Sequence, residues 1–249
     1  MTEVPPRSPC PCGSGRRYKA CHGSARRPEP VLRPFVGRVD EPDWVALREL
    51  VPSATAPLTL SAGWLAEHPE HADRRILLGT VLPETVPALV REDGEVLIGV
   101  QSPARGTDIS ADIAGALIAA LDAEPGGVVD APAPELGTPR LVDVLDPAPL
   151  AITVQSGFDW WIPPPAPGET ANPEVAATLE RANASVVPTE RLTGVEAAYW
   201  CEVGDRRHLR WAMSDPEDPL VDALARLAAA GELTVGAGSR YAGAFRALG

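Results

Sequence analysis

The chain has 249 residues, 45% of them hydrophobic and 5% aromatic, with 28 prolines and a formal net charge of −12. That length allows one or two domains with a sizeable core, and proline at roughly twice its usual share means long, stiff loops rather than a disordered chain. The longest apolar run covers only residues 114–121, far short of the roughly 18 residues of a membrane helix. The first thirty residues hold no apolar stretch of the secretory-signal kind, so a soluble, cytoplasmic protein with no membrane partner is expected.

Charge is unevenly placed. Residues 1–38 carry eight cations against Glu3 and Glu29, whereas residues 39–249 carry 14 cations and 32 anions. The acidic remainder repels polyphosphate. A basic arm attached to it retains the option of RNA, DNA or an acidic protein face. Lys19 is the one lysine beside 21 arginines, a bias that reads as genomic rather than functional.

Three of the four cysteines fall within twelve residues, in the string Cys10-Pro11-Cys12-Gly13-Ser14-Gly15-Arg16-Arg17-Tyr18-Lys19-Ala20-Cys21-His22. A structural zinc ion takes four soft or borderline ligands in a tetrahedron. Pro11 fixes its own φ and pushes Cys10 toward extended backbone, where residues two apart face the same way. Gly13 and Gly15 permit a sharp reversal, and the return brings Cys21 and His22 back toward the first two sulfurs. Arg16, Arg17 and Lys19 would offset three thiolates and lower their pKa values. With all four positions used, such a site has no place for a catalytic water. A disulfide or reduced thiols are the other readings; a reducing compartment and an odd cysteine grouping disfavour the disulfide.

This string resembles the SEC-C motif, known from the C-terminal tail of the SecA translocation ATPase and from many small bacterial proteins. The resemblance implies zinc held by Cys10, Cys12, Cys21 and His22. It also implies a protein-contact module of the kind that meets the SecB chaperone and the ribosome, with Arg16, Arg17, Tyr18 and Lys19 as contacts. It does not extend to the ATPase, for the chain has no G-x-x-x-x-G-K-[ST] loop to cradle nucleotide phosphates. The remainder is similar to an uncharacterised bacterial family that joins an N-terminal SEC-C motif to an acidic α+β domain, which carries no activity over.

In chain order, residues 1–27 form the zinc-binding motif, 28–42 a Pro/Arg-rich linker, and 43–249 an acidic body. Asp43 reads as the cap of a helix over 44–50. The body suggests two related halves, 43–127 and 140–249, each opened by Ala-Pro-Leu (residues 56–58 and 148–150). The first then has strands at 59–61, 75–82 and 95–101, a turn at 92–94, and a helix over 110–123. The second has strands at 151–155, 195–203 and 208–213, a turn at 204–205, and a helix over 219–230. Ile109, Ile113, Leu117 and Leu121 recur every four residues, as do Leu220, Leu224 and Ala228, the spacing of a helix face. Further helices are expected over 174–184 and 240–248. Proline-rich stretches at 131–139 and 162–173 read as loops. The fold class is α+β, an antiparallel-rich sheet with helices on one side.

Chemistry in the body is sparse. His68 and His71 flank Pro69, which bars a regular helix through them and makes a solvated loop the simpler reading. Cys201 reads as a small core residue and His208 as a strand residue. Asp108 and Asp112 suit the start of a helix, and Glu67, Glu70, Asp143 and Asp159 show no converging spacing. A Gly-x-Gly at 236–238 reads as a turn into the last helix. Trp160 and Trp161 are read in a strand, one facing the core and the other outward. No triad, nucleotide loop or catalytic metal signature is present. The expectation is a non-enzymatic interaction protein with structural zinc. Nucleic-acid or ribosomal-RNA binding through residues 7–38 is the alternative, and an enzyme with an unidentified site in the body a further one.

Overall fold

In a computed structural model, the described residues are 7–18, 30–135, 137–162, 172–239 and 241. The body is α+β. Helix α1 (Glu41–Glu49) begins two residues before Asp43, because Pro42 is tolerated in a first turn and Asp40 takes the N-cap position. Asp40 makes no side-chain cap. Its carboxylate instead accepts from Arg38 Nε at 2.9 Å and from Leu150 N at 2.8 Å. Arg38 also donates to the carbonyls of Asp146 and Ala148 at 3.1 and 3.0 Å. The ion pair is almost wholly buried and tolerable because its remaining hydrogen bonds are filled. Arg38 lines a small cavity of about 50 Å³ together with both Ala-Pro-Leu strings, through Pro57 and Leu58 on one side and Ala148, Pro149 and Leu150 on the other.

Strands β1 (Ala54–Leu58), β2 (Ile76–Gly79), β3 (Ala88–Val90), β4 (Val96–Gly99), β5 (Gly127–Val129) and β6 (Thr153–Val154) form one sheet in the order β5-β3-β4-β2-β1-β6. The sheet is antiparallel-rich, as expected, but β2 and β4 run parallel, with Ile76 opposite Val96 and Gly79 opposite Gly99. The sequence pattern predicts strands 75–82 and 95–101 as the arms around the 92–94 turn. The true hairpin partner of β4 is β3, through Val90 opposite Val96. Three residues are too few to show an alternation, so β3 escaped the period-two reading. Every residue of β4 is buried, as a central strand covered on both faces should be.

Helix α3 (Ile109–Leu121) packs its four-residue stripe on one face: Ile113, Leu117 and Leu121 join Ile76, Leu78, Val96 and Ile98 in the main core. Asp108 caps it by accepting from Ser110 N at 2.9 Å, and Asp112 accepts from the amides of Arg105 and Gly106. These two acids serve the helix start, as the sequence reading has it. The opposite sheet face is closed near β2 by a 3₁₀ turn over Asp159–Trp161, not by the strand expected there. Trp160 lies flush against Gly79, where an added Cβ would overlap the indole ring. Trp160 Nε1 donates to Ser53 Oγ at 3.0 Å and Trp161 Nε1 to the Val81 carbonyl at 2.8 Å. Both tryptophans are half-buried.

A second sheet holds β7 (Thr189–Arg191), β8 (Ala198–Val203) and β9 (Arg206–Trp211), in that order and antiparallel. Tyr199 and Cys201 are buried on its inner face, whereas Val203, at the strand end, is exposed. Arg191 on β7 reaches across to the Asp43 carboxylate at 2.8 Å. Of the short helices α2 (Ala62–Glu67) and α4 (Leu141–Val144), α2 has no buried residue and α4 sends Leu141 and Val144 into the main core. Helices α5 (Pro173–Ala184) and α6 (Glu217–Ala229) contain no fully buried residue. The helix expected over 240–248 lies outside the described residues apart from Tyr241.

Candidate metal centre

Residues 8–18 form a tight reversal. Pro9 pairs with Arg17 in an antiparallel bridge, Tyr18 N donates to the Ser8 carbonyl at 2.7 Å, and Cys10 N donates to the Arg16 carbonyl at 2.9 Å. The bend between is closed by Gly13 N to the Cys10 carbonyl at 3.2 Å. Gly13 and Gly15 have φ of +76° and +70°, left-handed backbone that glycine adopts without a Cβ clash. The local fold therefore follows from the Gly-Ser-Gly string.

The reversal brings two sulfurs together. Cys10 is buried, Cys12 is exposed, and their Sγ atoms lie 3.4 Å apart. That exceeds the roughly 2.05 Å of a disulfide. It is close to the roughly 3.8 Å that separates two sulfurs each about 2.3 Å from one tetrahedral zinc. Two thiolates so placed fit one edge of a zinc tetrahedron. Cys10, Pro11, Cys12 and Tyr18 line an open hollow of about 330 Å³ on this face, with Tyr18 half-buried and Arg16 and Arg17 exposed. Lys19 and the remaining expected ligands, Cys21 and His22, lie outside the described residues.

A second group of metal-ligating side chains does converge, which the sequence reading of a solvated loop did not anticipate. Helix α2, which the sequence reading does not include, ends before Pro69, and the chain then turns through a 3₁₀ segment, Pro69–His71, rather than running away. One ligand atom from each of His68, Glu70 and His71 lies within 4.8 Å of the others. His71 is buried, and both of its nitrogens are engaged. Nδ1 faces Trp64 Nε1 at 3.3 Å and Nε2 faces Asp122 Oδ1 at 3.0 Å. The indole N–H only donates, so Nδ1 is the acceptor and Nε2–H donates to Asp122. A cation on Nε2 would have to displace that proton from a ring whose other nitrogen has none. The chain Trp64–His71–Asp122, with His68 stacked on Trp64 at 4.1 Å, is therefore read as a strap tying α2 to the C-terminal end of α3.

The scattered acids have separate partners. Asp143 accepts from Arg140 N at 2.8 Å, Asp159 from Asn183 Nδ2 at 3.3 Å, and Glu70 sits beside His68 at 3.5 Å. Cys201 lies in the inner face of β8 with its Sγ 3.6 Å from the His208 carbonyl. Burial pushes the Asp43 carboxyl above its ordinary value despite Arg191. The same burial, with the Asp43 charge, raises the Tyr199 phenol to about 12.

Compared with known families, residues 34–249 match the family of unknown function DUF5926, and residues 7–24 match the SEC-C motif. The chain belongs to the DUF5926 family. In this DUF5926 protein the family match covers the acidic body, and the motif match covers the reversal that pairs Cys10 with Cys12. Among curated proteins, a 32-residue stretch is 53% identical to the protein translocase subunit SecA of Campylobacter lari, spanning 13% of this chain and 4% of that protein. The chain thus covers only a small piece of that relative. No solved structure matches it.

Proposed function

We infer that this DUF5926 protein is a non-enzymatic interaction protein whose N-terminal SEC-C arm is stapled by structural zinc. The carrying observation is the 3.4 Å approach of the Cys10 and Cys12 sulfurs on a glycine-closed reversal, inside a stretch that matches SEC-C. Cys21 and His22 complete the tetrahedron in this reading. A stretch so short buries too little to hold its own shape, so the metal supplies the folding energy. Once formed, the arm presents Arg16, Arg17, Tyr18 and Lys19 to a partner protein of chaperone or ribosome type. Arg16 and Arg17 are exposed in support of that. The likeness to a piece of a translocase subunit favours a contact module over an activity. Thiolate ligation is sustained in the reducing cytoplasm. Among the described residues no helix is long and apolar enough to cross a membrane.

Elemental analysis and affinity capture with the full chain test this together. Wild type should carry one zinc per chain and retain partners that Cys12→Ser, lacking zinc, loses. A metal-free wild type, or identical partners for both proteins, would sink the reading. Capture of RNA whose affinity falls steeply with salt would instead favour nucleic-acid binding through residues 7–38.

A further inference from the structure

We propose that the outer edge of β9 is a docking edge for an extended acidic peptide, which adds to the second sheet as a fourth strand. Among the described residues, β9 has β8 as its one strand partner. Ala212 N donates to the Ala197 carbonyl at 3.0 Å. Alternation along an antiparallel ladder then points the main-chain groups of Arg206, His208 and Arg210 inward to β8. Those of Arg207, Leu209 and Trp211 point outward. An open row of this kind is the template that strand addition uses.

The side chains define what fits. Arg206, Arg207 and Arg210 place three of the fourteen cations of residues 39–249 on one six-residue strand that carries no acid of its own. Arg207 pairs with Glu202 at 2.6 Å, and Asp205 stands 4.0 Å from Arg206. These pairs are exposed, where solvent screening leaves an ion pair little net stabilisation, so an incoming carboxylate can exchange for them. Arg210 donates to the Leu50 carbonyl. Trp211, 47% exposed, shares a face with half-buried Leu209 and Trp200, a shelf for one apolar side chain beside the acids.

Distance decides between possible occupants. An added strand lies about 4.8 Å away, inside a screening length of about 8 Å, so a short acidic strand is governed by the local arginines. A nucleic acid carries its charge beyond the strand onto an acidic body. A second copy of β9 would bring three more arginines to the same edge, the arrangement by which edge strands resist self-pairing. The site is independent of the zinc arm.

The test uses the full chain and a fluorescein-labelled octapeptide that alternates glutamate with valine, followed by anisotropy. Saturable binding is expected, weakening between about 50 and 300 mM salt, with at least a tenfold loss in the double variant Arg206→Glu, Arg207→Glu. Leu209→Pro removes one outward N–H, a change edge strands tolerate, and should weaken binding without altering the melting profile. Cys12→Ser should bind as wild type. Equal binding of a lysine–valine octapeptide, an unaffected arginine variant or loss of binding in Cys12→Ser would overturn the proposal. So would tighter binding of a single-stranded oligonucleotide, or sedimentation of the chain as a dimer that Leu209→Pro dissociates.

Discussion

Tyr199 is the clearest single-residue test of how the body is held. Its ring is fully buried, and its hydroxyl makes no well-formed hydrogen bond among the described residues. The hydroxyl faces the Asp43 carboxylate without ideal geometry, so Tyr199→Phe should change stability at pH 7 by no more than about 1 kcal/mol in chemical denaturation. The alkaline limb should move further. The phenol pKa is about 12 in the fold against 10.0 in the open chain, so the native state holds the proton longer. Its stabilising effect is complete below pH 10 and is lost as pH rises toward 12. The Phe variant should lack that component, and wild-type and variant denaturation curves that fall in parallel above pH 10 would contradict it. Asp43, beside it, behaves unlike an ordinary ion-paired carboxylate, because desolvation outweighs the attraction of Arg191.

At the scale of elements, burial rather than residue type sets what a helix contributes. Leu117 on α3 is fully enclosed in the core, whereas Leu227 on α6 is 43% exposed. Leu117→Ala should cost about 2–5 kcal/mol through lost transfer energy and a residual cavity. Leu227→Ala should stay within about 0.5 kcal/mol. Equal losses in urea denaturation would show that α6 packs more tightly than its exposure indicates. The two leucines look alike in the sequence, since Leu117 lies on a four-residue apolar stripe and Leu227 directly beside one. Periodicity reports that a helix has an apolar face, not what covers it. The same boundary appears elsewhere. The glycine-closed turn around Cys10 and Cys12 was legible because glycine and cysteine chemistry is local. The stripe of α3 and the turns at 92–94 and 204–205 were legible for the same reason. The parallel pairing of β2 with β4, the seat of Trp160 on Gly79 and the convergence of His68 with His71 depend on chain crossings that spacing does not encode. The outward-facing row of β9 was hidden too, because an edge exists only once the strand order is known.

For the molecule as a whole, charge separates a basic N-terminal stretch of eight cations from an acidic remainder. The main core begins at Phe35 and is built from buried apolar side chains of the body. In the proposed function the arm owes its shape to zinc, so one end can lose its partner while the other keeps its stability.

The strand order has a consequence for how the protein assembles. Strand β4 is flanked by the two strands immediately before it in the chain, β2 in parallel and β3 in the opposite sense. The short-range β3–β4 unit is able to form early, and β2 then has to slide in along its free side. The sheet is finished by β6, a two-residue rung on β1 that arrives from about a hundred residues downstream. Late arrival and few bonds make that rung the first to open. Amide exchange should therefore release Thr153 and Val154 well before any residue of β4. Slower exchange at 153–154 would mean that the far rim, not the centre, is what locks the sheet shut.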